Sequence, residues 1–186
     1  MKEYSTKDIR NVVLIGGTKS GKTTLSEAML FEGKVIARRG TVEDKNTVSD
    51  NEEIEKMNQR SIYATPLYAE FMDTKFNIID TPGADDFVGG AVSAFKVCEN
   101  GILVINAQQG VEVGTEIFAR YADQYNVPLI IAVNQLDSEK ADWDVTYLQL
   151  FPVLYFSALT LRKELRRLST PWAIMLLTSY RKQLLP

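Results

Sequence analysis

Gly16-Gly17-Thr18-Lys19-Ser20-Gly21-Lys22-Thr23 matches the spacing G-x-x-x-x-G-K-[ST] in full, with Thr24 following. The glycines let the backbone turn with positive φ, so that successive N–H groups form a concave nest for phosphate oxygens at a helix N-terminus. Lys22 would place a point charge on the outer phosphates, and the Thr23 hydroxyl would join the coordination of Mg²⁺. Downstream, Asp80-Thr81-Pro82-Gly83 closes an apolar run, where an acid can hold a water on Mg²⁺ and Gly83 can offer its N–H to a terminal phosphate. Asn134-Gln135-Leu136-Asp137 closes another apolar run. An aspartate there can accept two hydrogen bonds from the N1–H and N2 amine of guanine, and adenine would leave it unsatisfied. Asn134 would fix that loop. Ser157-Ala158 stands where a backbone N–H could reach the guanine O6.

These residues need a scaffold that delivers them to one place. NVVLI at 11–15 reads as a buried strand that stops at the glycines, and a helix follows from Lys22. Phe31 to about Arg60 has no period and reads as a long mobile loop with one helical turn. Ile62–Phe71 and Lys75–Ile79 read as a hairpin across Met72-Asp73-Thr74. A glycine-rich loop, a helix around Ala91–Cys98, a strand at Gly101–Ile105, a helix at Thr115–Tyr125 and a strand at Pro128–Val133 complete the alternation. Pro152–Phe156 reads as a last strand and Leu159–Leu184 as a last helix broken near Pro171, and the stretch from Asp144 to Phe151 is too short for a full helix with connections.

Strands alternating with helices predict a P-loop NTPase α/β fold of three layers, α/β/α. The sheet would be doubly wound and mostly parallel, with one antiparallel edge hairpin strand. Ligands in such sheets sit beyond the carboxyl ends of the strands, where each of the residues singled out above lies.

Composition bounds the rest. The 186 residues are 45% hydrophobic and 24% charged, enough for one domain with a sizeable core. A net charge of −3 argues against nucleic-acid binding by the whole surface. One cysteine, Cys98, excludes an internal disulfide and fits a reducing cytoplasm; no apolar run reaches membrane-spanning length. A cytoplasmic monomer is the expectation. Phe95, Val97, Trp143 and Trp172 read as packing residues. Arg38-Arg39 and the cluster Arg162, Lys163, Arg166, Arg167 read as solvated charge.

The whole set, in this order, resembles the GTP-binding domain of translation elongation factor G, a translational GTPase. The resemblance rests on GKTTLSEAML, NIIDTPGADDF, VINAQQGVEVGTE and VNQLDSEKADWD, and covers about 11–144 well and 151–158 loosely. It is nearest to divergent bacterial paralogues. It implies GTP/GDP and Mg²⁺ as ligands, the ribosome as partner, and coupling of nucleotide state to translocation through a first switch at about 31–61 and a second at about 81–91. The chain then reads as a single truncated domain over 1–186, with the family's insert largely missing near 145–151.

Several positions depart from the family pattern. The histidine that follows D-T-P-G is replaced by Ala84, and the chain has no histidine at all. Asp85 or Asp86 could orient a water only against repulsion from the phosphate. The first-switch threonine aligns with Tyr63, leaving Thr47 or Thr65 to serve after a loop shift; Lys19 replaces an aspartate and Gln135 a lysine. Binding without efficient hydrolysis is the expectation. The alternatives are a competent ribosome-stimulated GTPase, a P-loop ATPase or kinase, and a degenerate scaffold that binds no nucleotide.

Overall fold

A computed structural model describes residues 3–150. Seven-residue β1 (Ile9–Ile15) lies at the centre of a five-stranded sheet with β2 (Thr65–Phe71), β3 (Thr74–Asp80), β4 (Asn100–Asn106) and β5 (Leu129–Asn134), in the order β2-β3-β1-β4-β5. β1 runs parallel to β3 and β4, and β4 parallel to β5, while β2 alone is antiparallel to β3. The mostly parallel sheet with one antiparallel edge strand is the expected architecture.

The central strands are apolar on both faces because helices cover both. Val13, Ile15, Leu103, Ile105, Ile131 and Val133 point one way, into a core with Ala91, Ala94 and Phe95 of α3 (Val88–Phe95) and Phe118, Ala119 and Ala122 of α4 (Val113–Gln124). Val12, Leu14, Ile102, Val104 and Ala132 point the other way, toward Leu25 and Met29 of α1 (Lys22–Glu32). The strict alternation is the two-residue period of a strand, expressed here as two cores rather than as a wet and a dry face. Burying a side chain such as Phe118, which has no exposed surface, contributes roughly 1.5–3 kcal/mol.

Several boundaries differ from those expected. The hairpin strand begins at Thr65 rather than Ile62, and the turn is only Met72-Asp73, both at positive φ (47° and 60°), a twist-matched two-residue turn built without the usual Asn-Gly. α3 starts at Val88, so Gly89 and Gly90 are helical; a side chain on Gly90 would come within 3.2 Å of the Ala64 methyl, which is why a small residue stands there. Val97, expected in the core, is 61% exposed, whereas Phe95 is buried. Residues 143–150 are helical after all. Asp142 caps them through a 2.9 Å bond from Val145 N, and Leu150 is buried in the main core. Trp143 packs against that core and stacks on Tyr147.

Cys98 is buried, and desolvation pushes its thiol up to about 11, so it is a protonated packing residue. No helix among the described residues is long and apolar enough to cross a membrane. The expected strand at Pro152–Phe156, the helix at Leu159–Leu184, Trp172 and the Arg162–Arg167 cluster lie outside the described residues.

Candidate functional site

β1 delivers the glycine-rich turn to the carboxyl end of the sheet, and α1 begins at once behind it. Gly16, at φ 141°, passes so close to β4 that a side chain would strike the Val104 carbonyl. Gly21 caps α1 at φ 95°, and a side chain there would strike the Asn134 amide. Only glycine fits either position. The turn therefore keeps its backbone near the sheet and frees the N-terminus of an 11-residue helix for an anion.

Lys22 lies in the first turn of that helix and is only 5% exposed. Its Nζ donates to the carbonyls of Gly16 at 2.9 Å and Gly17 at 2.8 Å. Burial lowers its pKa to about 8, against the opposing pull of Asp80, Asp50 and Glu112. It is still charged at neutral pH. Gly83 of the D-T-P-G turn lies against the same ammonium and the Gly17 carbonyl.

Asp80 ends β3 with no exposed surface. Its Oδ2 accepts hydrogen bonds from Thr23 Oγ1 and Ser49 Oγ, both at 2.8 Å, and Ser61 Oγ lies 3.1 Å from Thr23 Oγ1. Desolvation raises the Asp80 carboxyl to about 6, and the two hydroxyls and Lys22 hold it back from rising further. The other oxygen of Asp80, Oδ1, is buried without a partner, and so is Oδ1 of Asp50. Asp50 too is raised above the usual carboxylate range, chiefly by burial.

The segment expected to be a mobile loop is tied down by two buried carboxylates. Glu27 on α1 accepts the N–H groups of Gly40 at 2.8 Å and Val48 at 2.5 Å. Glu55 sits in α2 (Glu53–Asn58), where it forms a capping box with Glu52, and accepts the N–H groups of Ile62 at 2.9 Å and Tyr63 at 3.0 Å. Both glutamates are 1% exposed. They pull residues 40–63 over the glycine-rich turn, which brings Ser49, Asp50 and Ser61 beside Thr23 and Asp80. Tyr63 faces solvent, Thr65 donates to the Ser49 carbonyl, and the buried Thr47 hydroxyl has no partner.

The loop after β5 is stitched to the same turn. Asn134 Nδ2 donates to the Ser20 carbonyl and Gln135 Nε2 to the Lys19 carbonyl, each at 3.0 Å. Gln135 in turn accepts from Gln108, at 2.8 Å. Between these walls lies a cavity of about 790 Å³ lined by Lys22, Thr24, Asp50, Ser61, Gly83 and Gln135, among others. Thr18, Lys19 and Ala84 also face it. Asp137 is two residues beyond Gln135 and exposed. Ser157 and Ala158 lie outside the described residues.

Of the candidates from the sequence, Thr18, Lys19, Gly21, Lys22, Thr23, Thr24, Gly83 and Gln135 line this one cavity, whereas Gly16, Ser20, Asp80, Asn134 and Asp137 are not among its lining residues. Sequence reasoning missed Glu27, one acid on α1, and Ser49, Asp50, Glu55 and Ser61, which are isolated polar residues in or beside a charged stretch without periodicity. The family model of the elongation factor Tu GTP binding domain matches residues 7–168. The chain belongs to that family. It is similar to an "Elongation factor G-like protein" of Mycobacterium tuberculosis, 36% identical over 135 residues, which are 73% of this chain and 19% of that protein. It is also 35% identical over 143 residues to an "Elongation factor G" of Granulibacter bethesdensis, covering 77% of this chain and 21% of that one. A crystal structure of a Thermus thermophilus protein superposes with a TM-score of 0.75 at 32% identity over 78% of this chain and 22% of the other. This elongation-factor-type domain therefore spans about a fifth of the length of these relatives.

Within the domain, Glu27 holds the segment after α1 by accepting the N–H groups of Gly40 and Val48. Glu27→Ala leaves both N–H groups without that acceptor and is expected to destabilise the domain by about 1–3 kcal/mol. Limited proteolysis should find cleavage within residues 40–63 sharply accelerated in this variant, with the sheet fragment persisting; wild-type resistance of that segment would contradict the tether.

Proposed function

We propose that this chain is a guanine-nucleotide domain of elongation factor G type, binding GDP and GTP with Mg²⁺ and coupling nucleotide state to ribosomal translocation within a longer protein in the cytoplasm. The observation that carries this reading is the pair of hydrogen bonds donated by the Asn134 and Gln135 side-chain amides to the Ser20 and Lys19 carbonyls. They fix the loop that bears Asp137 directly to the loop that cradles phosphates. A diphosphate gripped by residues 16–23 then presents its base to that loop, where Asp137 would pair with guanine and reject adenine. In this reading residues 1–186 form one domain, with switches at about 31–61 and 81–91.

The residues present fit a magnesium ion. Mg²⁺ takes hard oxygen donors and is held by one or two carboxylates together with substrate phosphates rather than by an all-protein cage. Asp80, bonded to the Thr23 hydroxyl, and Asp50, on the wall of the cavity that Thr23 also lines, each offer a buried carboxylate oxygen that has no partner. No group of three or more acidic, histidine or cysteine residues is gathered among the described residues, so phosphate oxygens would have to complete the shell. A bound ion would offset the two buried negative charges and share the phosphate oxygens. Thr23 would hold it, and Asp80 would act directly or through a water.

Hydrolysis is proposed to be weak. Ala84 brings only a methyl group to the place after the D-T-P-G turn. The Asp85 carboxylate lies toward Gly114, 3.2 Å from where a side chain on that residue would begin. In this reading neither would position the attacking water. Transfer of the ribosomal role rests on the similarity to a protein named elongation factor G, of which this chain covers only a part.

Thermal melts with GDP, GTP and ATP in Mg²⁺ test the reading. GDP at a hundredfold excess over its Kd should add about 2.7 kcal/mol and raise the Tm by several degrees, with ATP without effect. A flat response to GDP from a folded sample would leave the degenerate scaffold as the better account, and equal shifts by ATP the ATPase. For the chemistry, Ala84→His should speed phosphate release from GTP at least about tenfold, the low end of what a positioned proton-transfer group supplies. An unchanged rate, alongside brisk wild-type turnover on ribosomes, would favour the competent GTPase.

A further inference from the structure

Residues 41–46 form a small closed loop that stands against α1. One carboxylate pins both of its flanks: Glu27 accepts the Gly40 N–H at 2.8 Å and the Val48 N–H at 2.5 Å. Inside the loop, Thr41 N donates to Asn46 Oδ1 at 2.7 Å, Asp44 N to Thr41 Oγ1 at 3.0 Å and Lys45 N to the Val42 carbonyl at 3.2 Å. A side chain on Gly40 would strike the Asn46 carbonyl, so the two ends of the loop touch at its base. Thr24 and Glu27 are three residues apart on α1 and share a face of that helix. A loop anchored at Glu27 therefore stands one turn from Thr24, and its Val42 and Glu43 line the same cavity as Thr24.

The rest of that cavity has chemistry for the two ends of a nucleotide. Lys22, Thr23, Ser61 and Gly83 belong to the phosphate end, and Gln108 and Gln135, hydrogen-bonded to each other, to the loops on the base side. Between phosphate and base a nucleotide has its sugar, and Val42 and Glu43 are the wall left to meet it. The Glu43 carboxylate makes no hydrogen bond or ion pair among the described residues. A carboxylate is an acceptor, and phosphate would repel it. A ribose instead presents two neutral hydroxyl donors that need acceptors. Dinucleotide-binding folds hold the ribose 2′-OH with an acid in this way.

We propose that Glu43 is the sugar-reading residue of this site: its carboxylate accepts the ribose hydroxyls, with Val42 against the sugar's apolar side, and selects ribonucleotides over nucleotides that lack those hydroxyls. The inference rests on the guanine-nucleotide reading above. It gives the Glu27 tether a further task, because the loop that carries Glu43 keeps its place only while both flanks are held. Hydrogen bonds to a charged acceptor are worth about tenfold or more in affinity.

Calorimetric titration of GDP and 2′,3′-dideoxy-GDP, in Mg²⁺, into wild type, Glu43→Ala and Asp44→Asn tests this. Glu43 is exposed and unbonded, so its truncation leaves the fold intact; Asp44 is the neighbouring acid and is not among the residues that line the cavity. Wild type should bind GDP at least about tenfold more tightly than the dideoxy form. Glu43→Ala should weaken GDP alone and bring the two affinities together, and Asp44→Asn should keep the wild-type ratio. A wild type that binds both nucleotides alike, a ratio unchanged in Glu43→Ala, or an equal fall in Asp44→Asn overturns the proposal while guanine-nucleotide binding stands. Binding of neither nucleotide to any of the three proteins sinks the guanine-nucleotide reading as well.

Discussion

Lys22 carries a full charge at 5% exposure, and taking an ammonium out of water costs several kcal/mol unless partners replace the hydration. Two backbone carbonyls do part of this, those of Gly16 and Gly17. They are available because the glycine-rich turn bends back on itself between β1 and α1. The remaining compensation is electrostatic and comes from Asp80, Asp50 and Glu112. Each arrives from a different element: the end of β3, the segment between α1 and α2, and the start of α4. The buried cation thus ties the strand order of the sheet to the shape of the cavity. Moving any of these elements would change the environment of one ammonium.

The same region is over-supplied with negative charge. Asp80 and Asp50 both rise above the ordinary carboxylate range because burial outweighs their hydrogen bonds. Each keeps one oxygen without a partner. Buried, unpaired acceptors are costly and therefore rare in a native structure. Asp80 makes its hydrogen bond to the Thr23 hydroxyl with the other oxygen, and Asp50 lines the same cavity as Thr23. Residues 40–63 contribute to this through Ser49, Asp50 and Ser61, with Glu27 and Glu55 holding the segment by accepting backbone donors. The arrangement is a set of buried polar contacts between loop and helix and contains little apolar packing. Such contacts exchange readily when a ligand offers competing ones.

Much of the centre of this site was readable from the residues in order. The phosphate loop, the D-T-P-G turn and the Asn134–Asp137 loop are local motifs, each at the end of an apolar run, and local chemistry is what a sequence displays. The parallel sheet followed from the same runs, since β1, β4 and β5 are buried on both faces. The placement of residues 40–63 was not readable. It depends on Glu27, a single acid on α1, and Glu55, one acid among many in a charged stretch, whose partners lie 7 to 21 residues away and have no periodic signature. Gly89 and Gly90 misplaced the start of α3 because glycine signals a loop, whereas here at least Gly90 serves close packing against Ala64. Val97 was misplaced because its apolar type says nothing about which side of the chain end it faces. The helical run at 143–150 was discounted for want of length, although Asp142 supplies its cap.

Calorimetric titration of GDP, in Mg²⁺, into the wild type and Lys22→Met tests the central claim most directly. With one binding site per chain, the account requires that the methionine variant, folded by circular dichroism, bind at least about a hundredfold more weakly, the scale of losing a charge-assisted contact to phosphate. Equal affinity in the two proteins would mean that the buried ammonium does not grip the nucleotide, and that the cavity around it was misread.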